Sequence, residues 1–310
     1  MERRQRKRFC VVAAQDNDAA RLDRAARRNS LHHFERCFHL RSPNTFRILL
    51  TLSAHSMATV IGVVNQKGGV GKTTTVVNLG AALSTAGKRV LIIDLDPQAN
   101  ATSGVGIDHR ELQHGIYEVL IGQKNMSDVL AETVHEGLHV APATGALSGA
   151  NVELVNLPER EYRLRDAVNS VRQNYDYVII DSPPSLGLLT VNGLVASDSL
   201  LIPVQAEYYA LEGLTHLMET VGLVREHLKP ELGILGSVVT MFDSRARLST
   251  DVMDEMKKYF PDKIFTTIIP RSVRLAEAPS HGKTIIGYDP MSRGAAAYQL
   301  LAQEVIERTK

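Results

Sequence analysis

Seven short apolar runs punctuate the chain from Thr59 onward: Thr59 to Asn65, Leu91 to Asp94, Leu138 to Ala141, Tyr177 to Asp181, Leu200 to Val204, Ile234 to Phe242 and Ile264 to Ile269. They are rich in Val, Ile and Leu and show little polar alternation, which is the pattern of strands buried on both faces. Between them lie stretches with helical spacing: Thr73 to Ala86, Glu161 to Gln173, Leu211 to His227, Thr250 to Tyr259 and Ala295 to Thr309. The first is apolar at Val76, Val77, Leu79, Ala82 and Leu83, with Gly87 placed to stop it. Strands alternating with helices predict an α/β fold, a mostly parallel twisted sheet with helices on both faces. No internal repeat or low-complexity linker interrupts it.

The junction between the first strand and the first helix carries the chemistry. It reads Asn65-Gln66-Lys67-Gly68-Gly69-Val70-Gly71-Lys72-Thr73-Thr74. A glycine-rich loop that leaves a strand and enters a helix turns consecutive backbone N–H groups toward one point, where the helix N-terminus adds positive partial charge; phosphate is what such a point holds. Lys72 is placed to reach β- and γ-phosphates and the Thr73 hydroxyl to bind Mg²⁺. The spacing matches G-x-x-x-x-G-K-[ST] except that Gln66 occupies the first glycine position. A turn with no ligand would leave two lysines facing each other with no anion between them.

With Lys67 ahead of the double glycine, the loop resembles the deviant Walker A motif of the ParA/MinD family of P-loop ATPases. Leu91-Ile92-Ile93-Asp94-Leu95-Asp96-Pro97-Gln98-Ala99-Asn100 resembles that family's switch I segment, and Tyr177-Val178-Ile179-Ile180-Asp181-Ser182-Pro183-Pro184 its Walker B strand and switch II. The resemblance spans about Met57 to Lys310 and is nearest to the chromosomal, Soj-type ParA proteins. It implies a nucleotide site formed by Lys67, Gly68, Gly69, Val70, Gly71, Lys72, Thr73 and Thr74, with Pro270 and Ser272 beside adenine. It implies Mg²⁺ held by Thr73 and Asp181, catalysis by Lys67, Lys72 and Asp96, and DNA contacts from Arg245 and Arg274. Lys67 would cross a dimer interface to the partner's phosphates, and Asp96 would orient or deprotonate the attacking water. For Asp94, bracing the loop and catalysis both remain open. No N-K-x-D segment of the kind that reads guanine appears, so ATP is the expected nucleotide.

Composition changes the picture at one end of the chain. Residues 1–56 hold 12 Lys or Arg against 5 Asp or Glu, a net of +7, so the remaining 254 residues carry −6 within a whole-chain charge of +1. Both cysteines, Cys10 and Cys37, lie in this stretch, which leaves the core without thiols and excludes Fe–S ligation there. The Arg-rich extension is expected to be disordered or to lie upstream of the natural start, because Met57 opens the first strand directly; a nucleic-acid arm or a targeting segment are the alternatives. Residues 57–310 are then a ParA-type ATPase domain.

The resemblance implies an ATP-dependent homodimer, non-specific double-stranded DNA and a ParB-type centromere-binding protein as partners, in the cytoplasm and on the nucleoid. With aromatics at 5% and no Trp, stacking on single-stranded bases is disfavoured and charge would hold the duplex. Arg247, Lys283 and Arg293 could extend such a surface. Three other readings stay open: a ParA-like ATPase that positions a protein cargo, a MinD-like membrane-cycling ATPase, and a synthetase or amidase that activates a carboxylate. The membrane reading is weakened by the C-terminal segment, Gln299 to Lys310, which carries two glutamates and no Phe or Trp and reads as a docked helix. His281 is expected to be a hydrogen-bonded loop residue and not a catalyst.

A chain beginning at Met57 is expected to keep ATP hydrolysis, dimerisation and DNA binding. Loss of any one of these would make residues 1–56 a functional arm, and intact-mass analysis of the native protein identifies the start in use.

Overall fold

The computed structural model describes residues 57–207, 210–246, 252–254, 256–258 and 260–310. The extension at 1–56, Arg247 and part of the helix expected at 250–259 lie outside the described residues.

Eight strands form one sheet: β1 (Thr59–Val63), β2 (Val90–Asp94), β3 (Ala131–Glu132), β4 (Leu138–Ala141), β5 (Tyr177–Asp181), β6 (Ser199–Gln205), β7 (Gly233–Phe242) and β8 (Ile264–Pro270), in the order β3-β4-β2-β5-β1-β6-β7-β8. All neighbours are parallel except β3, which runs antiparallel to β4. Both faces are covered. On one face, Ile61, Val63, Ile92 and Ile179 pack with α1 (Lys72–Thr85) and a C-terminal helix. On the other, Val60, Leu91, Ile93 and Val178 pack with Leu164 and Val168, and Leu200 and Ile202 with Leu214 and Leu217. Neighbouring residues of one strand thus serve opposite layers, and this is why the runs are apolar without alternation.

The remaining helices that frame the site are α2 (Asn100–Gly104), α3 (Arg163–Val171), α4 (Leu188–Ala196), α5 (Ala210–His227), α6 (Val273–Glu277) and α7 (Arg293–Arg308). Sequence periodicity does not predict α4. Seven of its nine residues are buried, so it has no polar face and no helical period in its hydrophobicity.

Helix α7 is docked, with Ala295, Tyr298, Leu301 and Val305 buried along it. Its Glu304 accepts from the Thr266 and Thr267 amides at 2.8 and 3.0 Å, where β8 shifts register against β7. Those amides would otherwise be left unpaired at a sheet edge. The Arg308 guanidinium lies 4.0 Å from the centre of the Phe265 ring and holds Glu304 at 2.8 Å.

Candidate nucleotide site

The register of the central strands sets Val63, Asp94 and Asp181 abreast at the carboxyl end of the sheet. From Val63 the chain turns through the glycine loop into α1. Gly69 and Gly71 have φ of 74° and 89°, a region in which a side chain is strained. A Cβ at Gly68 or Gly69 would meet no other atom within 4 Å, so the loop shows bare backbone on that side. Helix α1 has no side-chain cap and no acidic residue in its first turn, which leaves its amino end free to meet an anion.

Remote side chains hold the loop in shape. Asn65 Oδ1 accepts from the Lys67 amide at 3.0 Å, and its Nδ2 donates to the Pro203 carbonyl at 2.8 Å. Thr240 Oγ1, from β7, donates to the Val70 carbonyl at 2.8 Å. The two lysines are kept apart: Lys72 Nζ donates to the Lys67 carbonyl at 3.1 Å, whereas Lys67 Nζ turns to Glu207 at 3.4 Å. Arg271 reaches the same Glu207 at 3.8 Å.

The carboxylates divide by their surroundings. Asp94 is fully buried and bound: Oδ2 accepts from the Thr102 amide and hydroxyl at 2.8 and 2.7 Å, and Oδ1 from the Asp96 amide at 3.2 Å. Thr102 Oγ1 accepts in turn from the Ala143 amide at 3.0 Å. Of the two roles open to Asp94, the geometry supports bracing. Burial pushes its carboxyl up to about 6. Asp181 is equally buried, yet among the described residues no donor completes a hydrogen bond to either of its oxygens. Its carboxyl is driven well above the ordinary range by burial and then by the charge of Asp94, with Thr73 and Lys72 close enough only to pull it part of the way back. Burial in turn lowers Lys72, against the attraction of Asp181 and Asp96. Asp96 is half-buried and accepts from the Gln98 amide at 3.0 Å.

A buried carboxylate without a donor is expensive to maintain, by several kcal/mol at the order-of-magnitude level, and a cation at that point removes the cost. Among the described residues, no cluster of three or more His, Cys, Asp or Glu could hold a metal by itself. A hydroxyl, with a carboxylate to bind one of the ion's waters, suits a hard divalent ion that takes its ligands largely from phosphate and water, as Mg²⁺ does.

Beside the loop lies a cavity of about 260 Å³ whose lining includes Gly71, Thr74, Pro270, Ser272, Leu275 and Tyr298, together with Thr240, Met241 and Arg271. The structure thus brings Pro270 and Ser272 next to the phosphate loop. Sequence reasoning missed Thr240, Met241 and Tyr298. A polar residue at the end of the β7 apolar run was a signal for Thr240; a buried tyrosine on a C-terminal helix gives none.

Arg245 is 90% exposed and is chelated by Asp243 at 3.0 and 2.9 Å. Arg274, on α6, pairs with Glu277 at 3.1 Å and Asp289 at 3.6 Å. Arg245 shares a wide cleft along β8 with Arg271 and Arg293, and Arg274 lies outside its lining. Among the described residues the His281 ring has no hydrogen-bond partner; it stacks on Tyr288 with centroids 5.0 Å apart, where a hydrogen-bonded side chain was expected.

A family model described as an AAA domain matches residues 58–234. The chain is 57% identical over 249 residues to the sporulation initiation inhibitor protein Soj of Bacillus subtilis, an alignment that covers 80% of this chain and 98% of the relative. It is 51% identical to the chromosome partitioning protein ParA of Myxococcus xanthus, covering 80% and 88%. Among solved structures, a cobyrinic acid a,c-diamide synthase from Mycobacterium smegmatis with bound ADP and magnesium superposes with a TM-score of 0.73 at 37% identity, over 82% of this chain and 96% of that one. The chain belongs to the Soj/ParA family of P-loop ATPases.

Replacing Asp181 by Asn removes the buried charge while keeping the shape. Without ligand, Asp181→Asn is expected to melt about 2–4 °C above wild type at pH 7.5, the shift of roughly 1 kcal/mol in a domain of this size. The rise in melting temperature that Mg²⁺ adds to ADP should vanish in the variant. Thermal denaturation with ADP, with and without Mg²⁺, checks both.

Proposed function

We propose that this member of the family is an ATP-dependent DNA-partitioning ATPase. It binds ATP with Mg²⁺, closes into a homodimer, holds duplex DNA without sequence preference, and releases it after a ParB-type partner stimulates hydrolysis. The reading rests on one observation above all: Lys72, Thr73 and an unpaired buried Asp181 converge at the amino end of an uncapped helix, with Lys67 alongside. Relatives named as chromosome partitioning proteins, ParA of Myxococcus xanthus and Soj of Treponema pallidum among them, support it.

In this reading the backbone from Gly68 to Gly71 and the first turn of α1 receive the phosphates, and Lys72 meets the β- and γ-oxygens. Thr73 and Asp181, the latter through a water, would hold Mg²⁺, which when bound neutralises charge on the phosphate oxygens. Asp96 orients or deprotonates the attacking water, and phosphoryl transfer asks for little more than such positioning and charge. Pro270 and Ser272 border adenine. Lys67 leaves Glu207 to reach the partner subunit's phosphates, acting as an arginine finger does and contributing roughly 10³ to 10⁵ in rate.

Arg245 and Arg274 hold phosphate backbone. Their present ion pairs are exposed, and exposed pairs contribute about 0–1 kcal/mol, so exchanging a carboxylate for a DNA phosphate meets little resistance. The protein would then reside on the nucleoid. Membrane cycling is not favoured: α7 buries its apolar face, and none of the described helices is long and apolar enough to cross a membrane. Carboxylate activation, suggested by the name of the synthase relative, is not favoured by the 57% identity to Soj. Positioning of a protein cargo would use the same cycle, and a ParB-type gene beside this one would decide for DNA.

Lys72→Ala is expected to lose ATP binding. Lys67→Ala should keep binding but stay monomeric with ATP, and Asp96→Ala should dimerise with hydrolysis reduced at least a hundredfold. Light scattering with phosphate release separates the three; a Lys67 variant that dimerises normally would remove the trans role.

Charge reversal at Arg245 or Arg274 should abolish DNA binding and spare the ATP-dependent dimer. Two such arginines per subunit give about four phosphate contacts per dimer, so wild-type affinity should fall roughly a hundredfold between 50 and 200 mM salt. Titration of random duplexes at several salt concentrations measures this, and unchanged affinity in both variants would rule the surface out.

A further inference from the structure

Met241 stands out by its backbone. Its φ is 51°, in the left-handed region, inside a strand and at a residue that is neither Gly nor Asn. For an ordinary side chain that conformation costs about 1–3 kcal/mol and persists where the surroundings enforce it.

The enforcing feature is a register shift. Val239 pairs with Ile268 and Phe242 with Pro270, so Thr240 and Met241 together face Ile269 alone. Such a bulge breaks the alternation of the strand. Val239 and Phe242 both pack into the layer against α5, three positions apart instead of two. Thr240 falls toward the phosphate loop, where it holds Val70. Met241 joins none of the hydrophobic layers among the described residues and instead lines the 260 Å³ cavity with Leu275, Pro270 and Tyr298. Bulges beside functional sites re-aim side chains in this way.

We infer that Met241 is the base-contacting residue of the nucleotide site: the bulge turns it into the cavity so that its thioether covers the purine ring, while Thr240 secures the phosphate loop. This rests on the nucleotide reading above. A flexible, polarizable thioether against the edge or face of an aromatic ring is a favourable contact, and it discriminates a purine nucleotide from bare polyphosphate without a hydrogen bond.

The test compares ligands with and without a base. In Met241→Gly, glycine accepts the left-handed backbone freely, so the ligand-free melting temperature should not fall below wild type. ATP affinity by calorimetry should drop about tenfold, the scale of one apolar side chain removed from a ring it covers. Affinity for inorganic tripolyphosphate should not change. Met241→Leu, which keeps an apolar side chain of similar volume, should bind ATP within about threefold of wild type. Equal losses for ATP and tripolyphosphate would make Met241 a support of the loop and overturn the inference, as would wild-type ATP affinity in Met241→Gly. If the wild-type protein bound ATP no better than Lys72→Ala, the nucleotide reading itself would fall, a result distinct from either.

Discussion

A buried carboxylate to which no donor among the described residues completes a hydrogen bond organises this structure. Asp181 ends β5 in the middle of the sheet, fully buried, with its two oxygens unpaired and Asp94 as its neighbour across the register. Two buried carboxylates side by side oppose folding, and the chain compensates only one of them. Asp94 is given three donors, and through Thr102 it ties the switch I segment to the strand ends and to Ala143. Asp181 is left with the Thr73 hydroxyl close by and the ammonium of Lys72, whose own charge is disfavoured by burial. The asymmetry separates a structural acid from one open to a ligand, and burial of both raises the cost of having no ligand.

Rigid anchoring around that charge follows from the same requirement. Loop backbone in left-handed conformations holds no shape by itself, so distant elements fix it: Pro203 at the end of β6 through Asn65, and Thr240 on β7 through Val70. Thr240 reaches across 170 positions of sequence to do so. The strained residues near the site belong to the same construction. Ala99, with φ of 54°, sits in the switch I segment just before α2, and Met241 sits beside Thr240. Strain of this kind concentrates where geometry is set by something other than local preference.

How much of this was legible in sequence depended on whether the signal was local. Lys67, Lys72 and Thr73 stand at fixed spacing in one loop, and Asp181 closes an apolar run, so their positions in the fold could be read from neighbours. The parallel sheet was legible for a similar reason, since short apolar runs lose their alternation when helices cover both faces of a sheet. Helix α4 was not, because complete burial erases the polar face that marks a helix. Thr240 left a faint mark as a polar residue near the end of an apolar run, whereas Met241 was invisible because a bulge shifts the β7 alternation by one residue, and Glu207 past β6 and the buried Tyr298 on α7 carried no local signal. Arg245 and Arg274 were proposed by resemblance alone, and the fold pairs them with Asp243, Glu277 and Asp289, which no sequence signal marked.

Lys67 shows how the free chain restrains a residue assigned to a partner's site. Its ammonium rests on Glu207, and the same carboxylate draws Arg271, which lines both the 260 Å³ cavity beside the loop and the cleft along β8. Both contacts are loose, at 3.4 and 3.8 Å, and Glu207 is 44% exposed, so water screens the pair and it contributes about 1 kcal/mol at most. A restraint of that size keeps the lysine at home in the monomer and yields to a bound polyphosphate, whose charge is several times that of one carboxylate and which lies where bulk water is excluded. In the proposed cycle the exchange therefore requires nucleotide in the facing subunit, and dimerisation becomes conditional on ATP without any large conformational barrier.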